Sequence, residues 1–273
     1  MPSTRLLSSH YETVARAFQV LDIAAPLRAF QPPDAQLGEV WEELTAEDPV
    51  GFCLIRDSER IYGFFAFDDD VFLAPLEGIA SDKLTQITPD QIVSGSMSLL
   101  DLISLFRRHY FFFVLTRNDL THVVSFQDLD NLPVKLCLFS LLMALEAEIV
   151  DLLAASGSIE QHLSLLPEGR LNKAKQLCGD KYGADRITAD KILLCTTFID
   201  KKTMLLRSPA LSSRLPFQSK NAAERFFKRT ESLRNQIAHS DSIFTVLNSP
   251  DEFDGFVSEL RQVSEALSGL QDT

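Results

Sequence analysis

Two stretches of the chain, 59 residues apart, carry the same pattern of short apolar runs around a polar break. The first extends from Phe52 to Phe67 and is interrupted by the polar residues 56–60. The second begins at Phe111 and is interrupted by residues 116–119. Short apolar runs on both sides of a polar break predict a β-hairpin. The chain is therefore expected to contain two hairpins that belong to an internal repeat.

A short amphipathic segment precedes each hairpin with the same spacing of 59 residues. Residues 39–44 and residues 98–106 place their apolar side chains at helical spacing. Acidic residues follow each hairpin, at 68–70 and at 128 and 130, and such residues favour a helix start. Each repeat is predicted to read helix, strand, strand and helix start, which gives the first half of the chain an α+β fold.

The pattern changes after Pro133, where strand signals nearly disappear. Long helical patterns replace them up to Leu267. They cover residues 136–155, 159–178, 188–206, 221–239 and 251–267. Because 273 residues suffice for two domains, we predict an α+β domain at 1–135 and an all-α bundle of four or five helices at 136–273.

Charge is distributed unevenly between these two predicted domains. Residues 1–135 hold 10 Lys and Arg against 20 Asp and Glu, whereas residues 136–273 have a net charge of only −2. Within the second domain, residues 201–234 contain nine basic and two acidic side chains. This basic stretch favours a polyanion such as RNA, with a solvated helix face as the alternative. The expected RNA contacts are Lys220, Arg225, Lys228 and Arg229.

Several classes of protein are excluded by what the sequence lacks. It has no phosphate loop, dinucleotide fingerprint, nucleophile elbow or zinc-protease motif. Its four cysteines have neither metal-binding nor disulfide spacing. No apolar run approaches the roughly 20 residues of a membrane helix, and residues 1–10 lack the apolar part of a signal peptide. We therefore expect a cytoplasmic protein with no metal site, no required cofactor and no membrane partner.

The end of the second hairpin, Ser125-Phe-Gln-Asp128, resembles the second strand and helix start of a CBS domain. Tandem pairs of CBS domains form nucleotide-sensing modules. The first copy aligns through Ala66 and Asp69, and the resemblance covers roughly residues 15–135. It implies two βαββα-like repeats and a site for an adenine nucleotide, in which the hydroxyl residue contacts phosphate and the Asp contacts ribose hydroxyls.

The two copies differ in how well they fit this resemblance. Ala66 has no hydroxyl, so the first copy retains only Asp69, and His122 stands where glycine is usual in the second copy. The resemblance therefore implies at most one good nucleotide site, at Ser125 and Asp128. A Ser-x-x-Asp sequence before a helix is also an ordinary N-terminal cap, which is an alternative that needs no ligand.

Residues 234–239, Arg-Asn-Gln-Ile-Ala-His, resemble the Arg-polar-x-x-x-His signature of HEPN domains. These small helical bundles include metal-independent ribonucleases and toxins. On a helix, Asn235 and His239 lie about 40° apart and one turn apart, and Arg234 lies further round but has a long side chain. The resemblance implies that these three residues are catalytic and that two copies of the signature meet across a homodimer.

The implied chemistry uses no metal. The RNA 2′-hydroxyl attacks its own phosphodiester while His239 transfers protons, Arg234 stabilises the charge on the phosphoryl oxygens and Asn235 orients the pair. In the alternative, the three side chains only satisfy groups at a helix end. The chain is then a non-catalytic regulatory or scaffold protein whose CBS and HEPN-like modules bind nucleotides and partners.

Overall fold

The structure is a computed structural model, and it divides the chain into two units. The residues that it describes are 5–45, 51–66, 70–73 and 76–269. Residues 19–129 form one unit, here called the sheet unit. Residues 1–18 and 130–273 together form the other, here called the helical unit. The predicted mixture of an N-terminal sheet region and a C-terminal helical part is therefore confirmed.

The described residues contain seven strands and eleven α-helices. The strands are β1 (Ala25–Pro26), β2 (Ala29–Gln31), β3 (Phe52–Arg56), β4 (Ile61–Ala66), β5 (Ile92–Ser94), β6 (Phe111–Thr116) and β7 (Asp119–Ser125). The helices are α1 (Arg5–Ala17), α2 (Leu37–Leu44), α3 (Leu99–Leu105), α4 (Leu132–Ala155), α5 (Ile159–Leu163), α6 (Glu168–Tyr182), α7 (Ala189–Leu194), α8 (Phe198–Arg207), α9 (Pro209–Ser212), α10 (Lys220–Ala238) and α11 (Pro250–Gly269).

The sheet unit contains the same order of elements twice. The order strand, helix, strand, strand appears as β2–α2–β3–β4 and again as β5–α3–β6–β7. In each copy the first strand is parallel to the second, and the second and third form an antiparallel hairpin. Both predicted hairpins are present. Strand β1 joins the second sheet beside β7, with Ala25 opposite Val123.

The two hairpins are apolar on both faces because both faces are buried. Side chains alternate along a strand, so Cys53 and Ile55 pack towards α2, whereas Leu54 packs towards the other sheet. Aromatic rings fill the space between the sheets, where the ring centroids of Phe64 and Phe113 lie 5.0 Å apart. Burial on two sides explains why the strands read as nearly continuous apolar runs.

The predicted helix start after the first hairpin does not lead into an α-helix within the described residues. Residues 70–73 form a 3-10 turn, and residues 76–98 contain no α-helix. Gly78 has a left-handed φ of 102° and Pro89 opens a further 3-10 turn, and both features interrupt helices. After the second hairpin, a 3-10 turn at Phe126–Asp130 leads into α4, which belongs to the helical unit. The last helix of each predicted βαββα-like repeat is therefore not found in the described part of the sheet unit.

The division of the chain also differs from the predicted boundary between residues 135 and 136. Helix α1 packs against α4, and the Cys137 thiol lies 3.2 Å from the carbonyl oxygen of Ala15, to which it donates. Ala15 is fully buried by this packing. The first 18 residues consequently belong to the helical unit, and the sheet unit is inserted between α1 and α4.

Helix α4 forms the centre of the helical unit. More than half of its 24 residues are buried, and α1, α8, α10 and α11 pack against it. A helix that is apolar on most of its circumference is stable only when other helices cover it. The described residues from 132 to 269 form eight α-helices, α4 to α11, more than the four or five predicted for residues 136–273. Two predicted segments are each divided, at Pro167 and at Thr197, where new helices begin.

Gly63, in the middle of β4, is a position where we expect a single methyl group to destabilise the sheet unit. The neighbouring Phe64 exchanges two backbone hydrogen bonds with Thr85, which brings residues 84 and 85 close to this strand. A Cβ at Gly63 would collide with the Thr85 carbonyl and the Leu84 side chain. Gly63→Ala should therefore lower the free energy of unfolding by about 1–3 kcal/mol, measured by urea denaturation.

Gly38 provides the matched control in the same unit. It lies in α2, and no atom stands within 4 Å of the position that an added methyl group would take, so Gly38→Ala should leave stability unchanged or raise it by about 0.5–1 kcal/mol. Equal denaturation midpoints for the two variants would contradict the close contact at Gly63.

Candidate functional site

The predicted catalytic residues lie at the C-terminal end of α10. The helix ends at Ala238, and His239 is the capping residue. Ser240 adopts a left-handed φ of 60°, and the N–H of Asp241 donates to the carbonyl of Gln236 at 2.9 Å. This is the Schellman arrangement that closes many helices. The backbone at His239 is therefore fixed by the end of its own helix.

Asn235 and His239 are both exposed to solvent. They lie one turn apart, and the backbone N–H of His239 donates to the carbonyl of Asn235 at 3.0 Å. Within the part of the chain that the structure describes, neither side chain has a hydrogen-bond partner. Both are therefore available to a ligand at this end of the helix.

Arg234 points to a different environment. One of its terminal nitrogens lies 3.3 Å from Glu146 Oε2, and its guanidinium carbon lies 6.0 Å from the centre of the Phe198 ring. These partners belong to α4 and α8, and the arginine side chain is 34% exposed. Adjacent helical residues diverge by about 100°, so Arg234 packs between helices while its neighbour Asn235 faces solvent.

Glu146 also binds a second cation. Lys201 Nζ lies 2.7 Å from Glu146 Oε1 and donates to the Thr196 carbonyl at 2.8 Å. Lys201 is only 5% exposed. Two cations thus share one carboxylate, and the cluster of Glu146, Lys201 and Arg234 keeps one net positive charge. Glu146 was not among the predicted site residues, although an acidic residue inside a long apolar helical pattern is a signal for such a partner.

The start of α8 is held by a buried carboxylate, Asp200. The backbone N–H and hydroxyl of Thr197 donate to Asp200 Oδ2 at 2.9 and 2.8 Å, and Arg170 Nε donates to Oδ1 at 2.7 Å. Burial alone would raise the pKa of Asp200, but the hydrogen bonds from Arg170 and Thr197 outweigh burial and lower that pKa. This cap fixes the helix that carries Lys201.

The predicted nucleotide-binding pair, Ser125 and Asp128, is bonded to itself. The backbone N–H and the hydroxyl of Ser125 donate to Asp128 Oδ2 at 2.7 and 2.9 Å. This arrangement caps the 3-10 turn after β7, much as Asp101 and Ser98 cap α3. Among the residues described, the other oxygen of Asp128 has no hydrogen-bond partner. Asp69, the predicted ligand of the first copy, lies outside the described residues.

The four predicted RNA-binding residues lie in different surroundings. Lys220 and Lys228 line a groove beside α8. A terminal nitrogen of Arg229 instead lies 2.6 Å from Glu259 Oε2, and its guanidinium carbon lies 4.9 Å from the centre of the Phe256 ring. Arg225 is exposed and does not line the groove. The helical repeat explains this separation, because residues four apart share a face and adjacent residues do not.

Two kinds of feature are absent from the described ranges of the chain. They contain no cluster of three or more His, Cys, Asp or Glu side chains suited to a metal ion. No helix in those ranges combines the length and apolar character that crossing a membrane requires.

No protein-family model and no curated protein matches this chain. Its function must therefore be inferred from its residues and their geometry.

The buried cap at the start of α8 should make stability depend on pH. Because hydrogen bonding lowers the pKa of Asp200 in the folded state, its stabilising effect is present at neutral pH and is lost as pH falls through that lowered pKa. Asp200→Asn should lower the free energy of unfolding by about 1–3 kcal/mol at pH 7, and the deficit should shrink below about pH 4.

Urea denaturation at neutral and acidic pH measures this difference. The control is Asp180→Asn on α6, which is exposed and should change stability by less than about 0.5 kcal/mol. A deficit for Asp200→Asn that is the same at both pH values would show that the charge of this carboxylate does not matter.

Proposed function

We propose that the chain is a metal-independent endoribonuclease that acts as a homodimer, in which the helical unit cleaves RNA and the sheet unit binds an adenine nucleotide. One observation carries the proposal. Asn235 and His239 are exposed and, among the described residues, unbonded at the end of α10, beside an Arg234 that is anchored without losing its charge.

The anchoring of Arg234 supports a role in charge stabilisation. Lys201 already neutralises Glu146, so the contact with Glu146 does not cancel the charge of Arg234. A guanidinium that contacts Glu146 through one terminal nitrogen and is partly exposed is oriented before a phosphate arrives. Groups oriented in advance stabilise developing charge without a cost of reorganisation.

The exposed imidazole of His239 supports the proton transfer. Imidazole is the side chain that most often serves as general acid or base in enzymes. In the proposed step the 2′-oxygen loses its proton and bonds to phosphorus, and the bond from phosphorus to the 5′-oxygen breaks. The leaving 5′-oxygen takes up a proton, which gives a 2′,3′-cyclic phosphate and a 5′-hydroxyl. A second copy of the signature across the dimer supplies a second histidine, so one acts as base and the other as acid.

The nucleotide-binding part of the proposal rests on the sheet unit. Its order of strand, helix, strand and strand occurs twice, which supports the resemblance to paired CBS domains. The second oxygen of Asp128 can accept a ribose hydroxyl, and Ser125 can turn its hydroxyl towards a phosphate. The nucleotide then regulates the dimer and is not consumed.

The second candidate is a non-catalytic regulatory or scaffold protein. The hydrogen bonds between Ser125 and Asp128 favour it, because they give both side chains a capping role that needs no ligand. His239 likewise has a structural role as the capping residue of α10. This candidate predicts that RNA is not cleaved.

Cleavage of mixed RNA in EDTA distinguishes the two candidates. We expect the wild-type protein to cleave and to leave 2′,3′-cyclic phosphate ends, and His239→Ala to reduce the rate at least about 100-fold because proton transfer is lost. Arg234→Lys keeps the positive charge beside Glu146 but loses the planar guanidinium, so it should also cleave slowly.

His10→Ala is the control for removal of an exposed imidazole elsewhere in the helical unit and should cleave normally. Circular dichroism checks that each variant is folded, and light scattering should give twice the chain mass of 30.6 kDa. Cleavage that strictly requires magnesium, full activity of His239→Ala, or a monomer in solution would refute this mechanism.

Calorimetry with AMP and ATP tests the nucleotide site. Asp128→Asn should abolish nucleotide binding because it removes the carboxylate that accepts hydrogen bonds from the ribose hydroxyls. Asp101→Asn alters a comparable cap in the same repeat and should leave binding intact. Nucleotide affinity that is unchanged by Asp128→Asn, or lost equally in both variants, would contradict a site at Ser125 and Asp128.

A further inference from the structure

A basic groove lies between α8 and α10 in the helical unit. Its volume is about 440 Å³. The polar residues that line it are Lys202, Thr203, Arg207, Lys220, Glu224 and Lys228. Four cationic side chains thus face one carboxylate. We call this feature the α8–α10 groove.

The helical repeat brings these side chains together. Lys220, Glu224 and Lys228 are four residues apart and form one stripe along α10. Thr203 and Arg207 are likewise four residues apart on α8. The two walls come from opposite ends of the basic stretch, so the fold concentrates charge that is dispersed in the sequence.

Most of this positive charge is not cancelled by ion pairs. Lys220 Nζ lies 3.9 Å from Glu224 Oε1, and both side chains are largely exposed, so the attraction between the two charges is weak. Arg207 donates to the neutral Leu165 carbonyl at 2.8 Å and keeps its full charge. Lys228 has no ion-pair partner among the described residues.

The remaining groove cation, Lys202, is paired with a carboxylate that does not line the groove. Its Nζ lies 2.9 Å from Glu231 Oε2. The groove therefore has a positive local field although the whole chain has a net charge of −12. Such a local field attracts an anionic ligand with several charges.

We propose that the α8–α10 groove binds the phosphate backbone of single-stranded RNA and is the substrate-binding site of the proposed ribonuclease. This inference rests on the proposed function. Lysine and arginine on two walls contact successive phosphates without reading the bases. The groove has no aromatic residue among its described lining residues, so base stacking contributes little.

The position of the groove fits a strand that continues to the candidate catalytic residues. Lys228 and His239 lie on the same helix, eleven positions apart, which corresponds to about 16 Å along its axis. A few nucleotides of single strand span that distance. Phosphate contacts of this kind do not read bases, so the substrate class is single-stranded RNA of little sequence preference.

Binding of an uncleavable strand tests the groove separately from catalysis. The probe is a fluorescein-labelled 2′-O-methyl oligouridine, which lacks the 2′-hydroxyl nucleophile, and fluorescence anisotropy is measured across a range of salt concentrations. Lys220→Gln with Lys228→Gln removes two exposed charges from the α10 wall. We expect affinity to fall about tenfold and the slope of log K against log salt to decrease by about 1.4, since each contact contributes about 0.7 for a single strand.

The control makes the same change of charge outside the groove. Lys173→Gln with Lys175→Gln removes two exposed lysines from α6 and should bind nearly as wild type. Lys202→Gln should weaken binding from the other wall. Equal losses in the two double variants, or wild-type binding by the groove variant, would overturn the proposal.

Other outcomes separate this inference from the proposed function. Groove-dependent binding by a protein that never cleaves RNA would refute the ribonuclease and leave the groove as an RNA site. Cleavage that is unaffected by the groove variant would leave the ribonuclease and overturn the groove. Poly-glutamate that displaces the probe as well as an oligonucleotide of equal charge would overturn the assignment to RNA.

Discussion

The carboxylate of Glu146 is the group on which the candidate functional surface of the helical unit depends. It lies on the largely apolar α4 and binds Lys201 of α8 and Arg234 of α10. Loss of the Glu146 carboxylate would cost about 3–5 kcal/mol, because it would leave the buried Lys201 without an ion-pair partner. Lys202 and Asn235 are the immediate neighbours of these two cations. The groove and the candidate catalytic end of α10 therefore share one support.

Much of the sheet unit could be predicted from the sequence because its signals are local. The hairpins consist of apolar runs with polar breaks. The runs are continuous in the sequence because each strand is buried on both faces. The prediction of a helix after the first hairpin was wrong for the described residues, since Gly78 and Pro89 fix turns there. The association of α1 with α4 could not be predicted, because it joins segments that are more than a hundred residues apart.

The candidate site was harder to predict than the fold. The sequence shows that residues 201–234 are basic, but only the packing of α8 on α10 selects which cations line the groove. Lys228 lies in it, whereas the adjacent Arg229 is held by Glu259. The partner of Arg234 was missed for the same reason. Glu146 precedes it by 88 positions, and no local pattern connects the two.

The insertion of the sheet unit between α1 and α4 affects the order in which the chain can fold. During synthesis, at about 5–20 residues per second, α1 emerges on the order of ten seconds before α4 can cover it. Within that interval the whole sheet unit is available to fold. Its first strand pairs with its last, Ala25 opposite Val123, so folding brings its two ends together. The folded sheet unit then acts as a short connection between α1 and α4. Less conformational entropy is therefore lost when these two helices pack together.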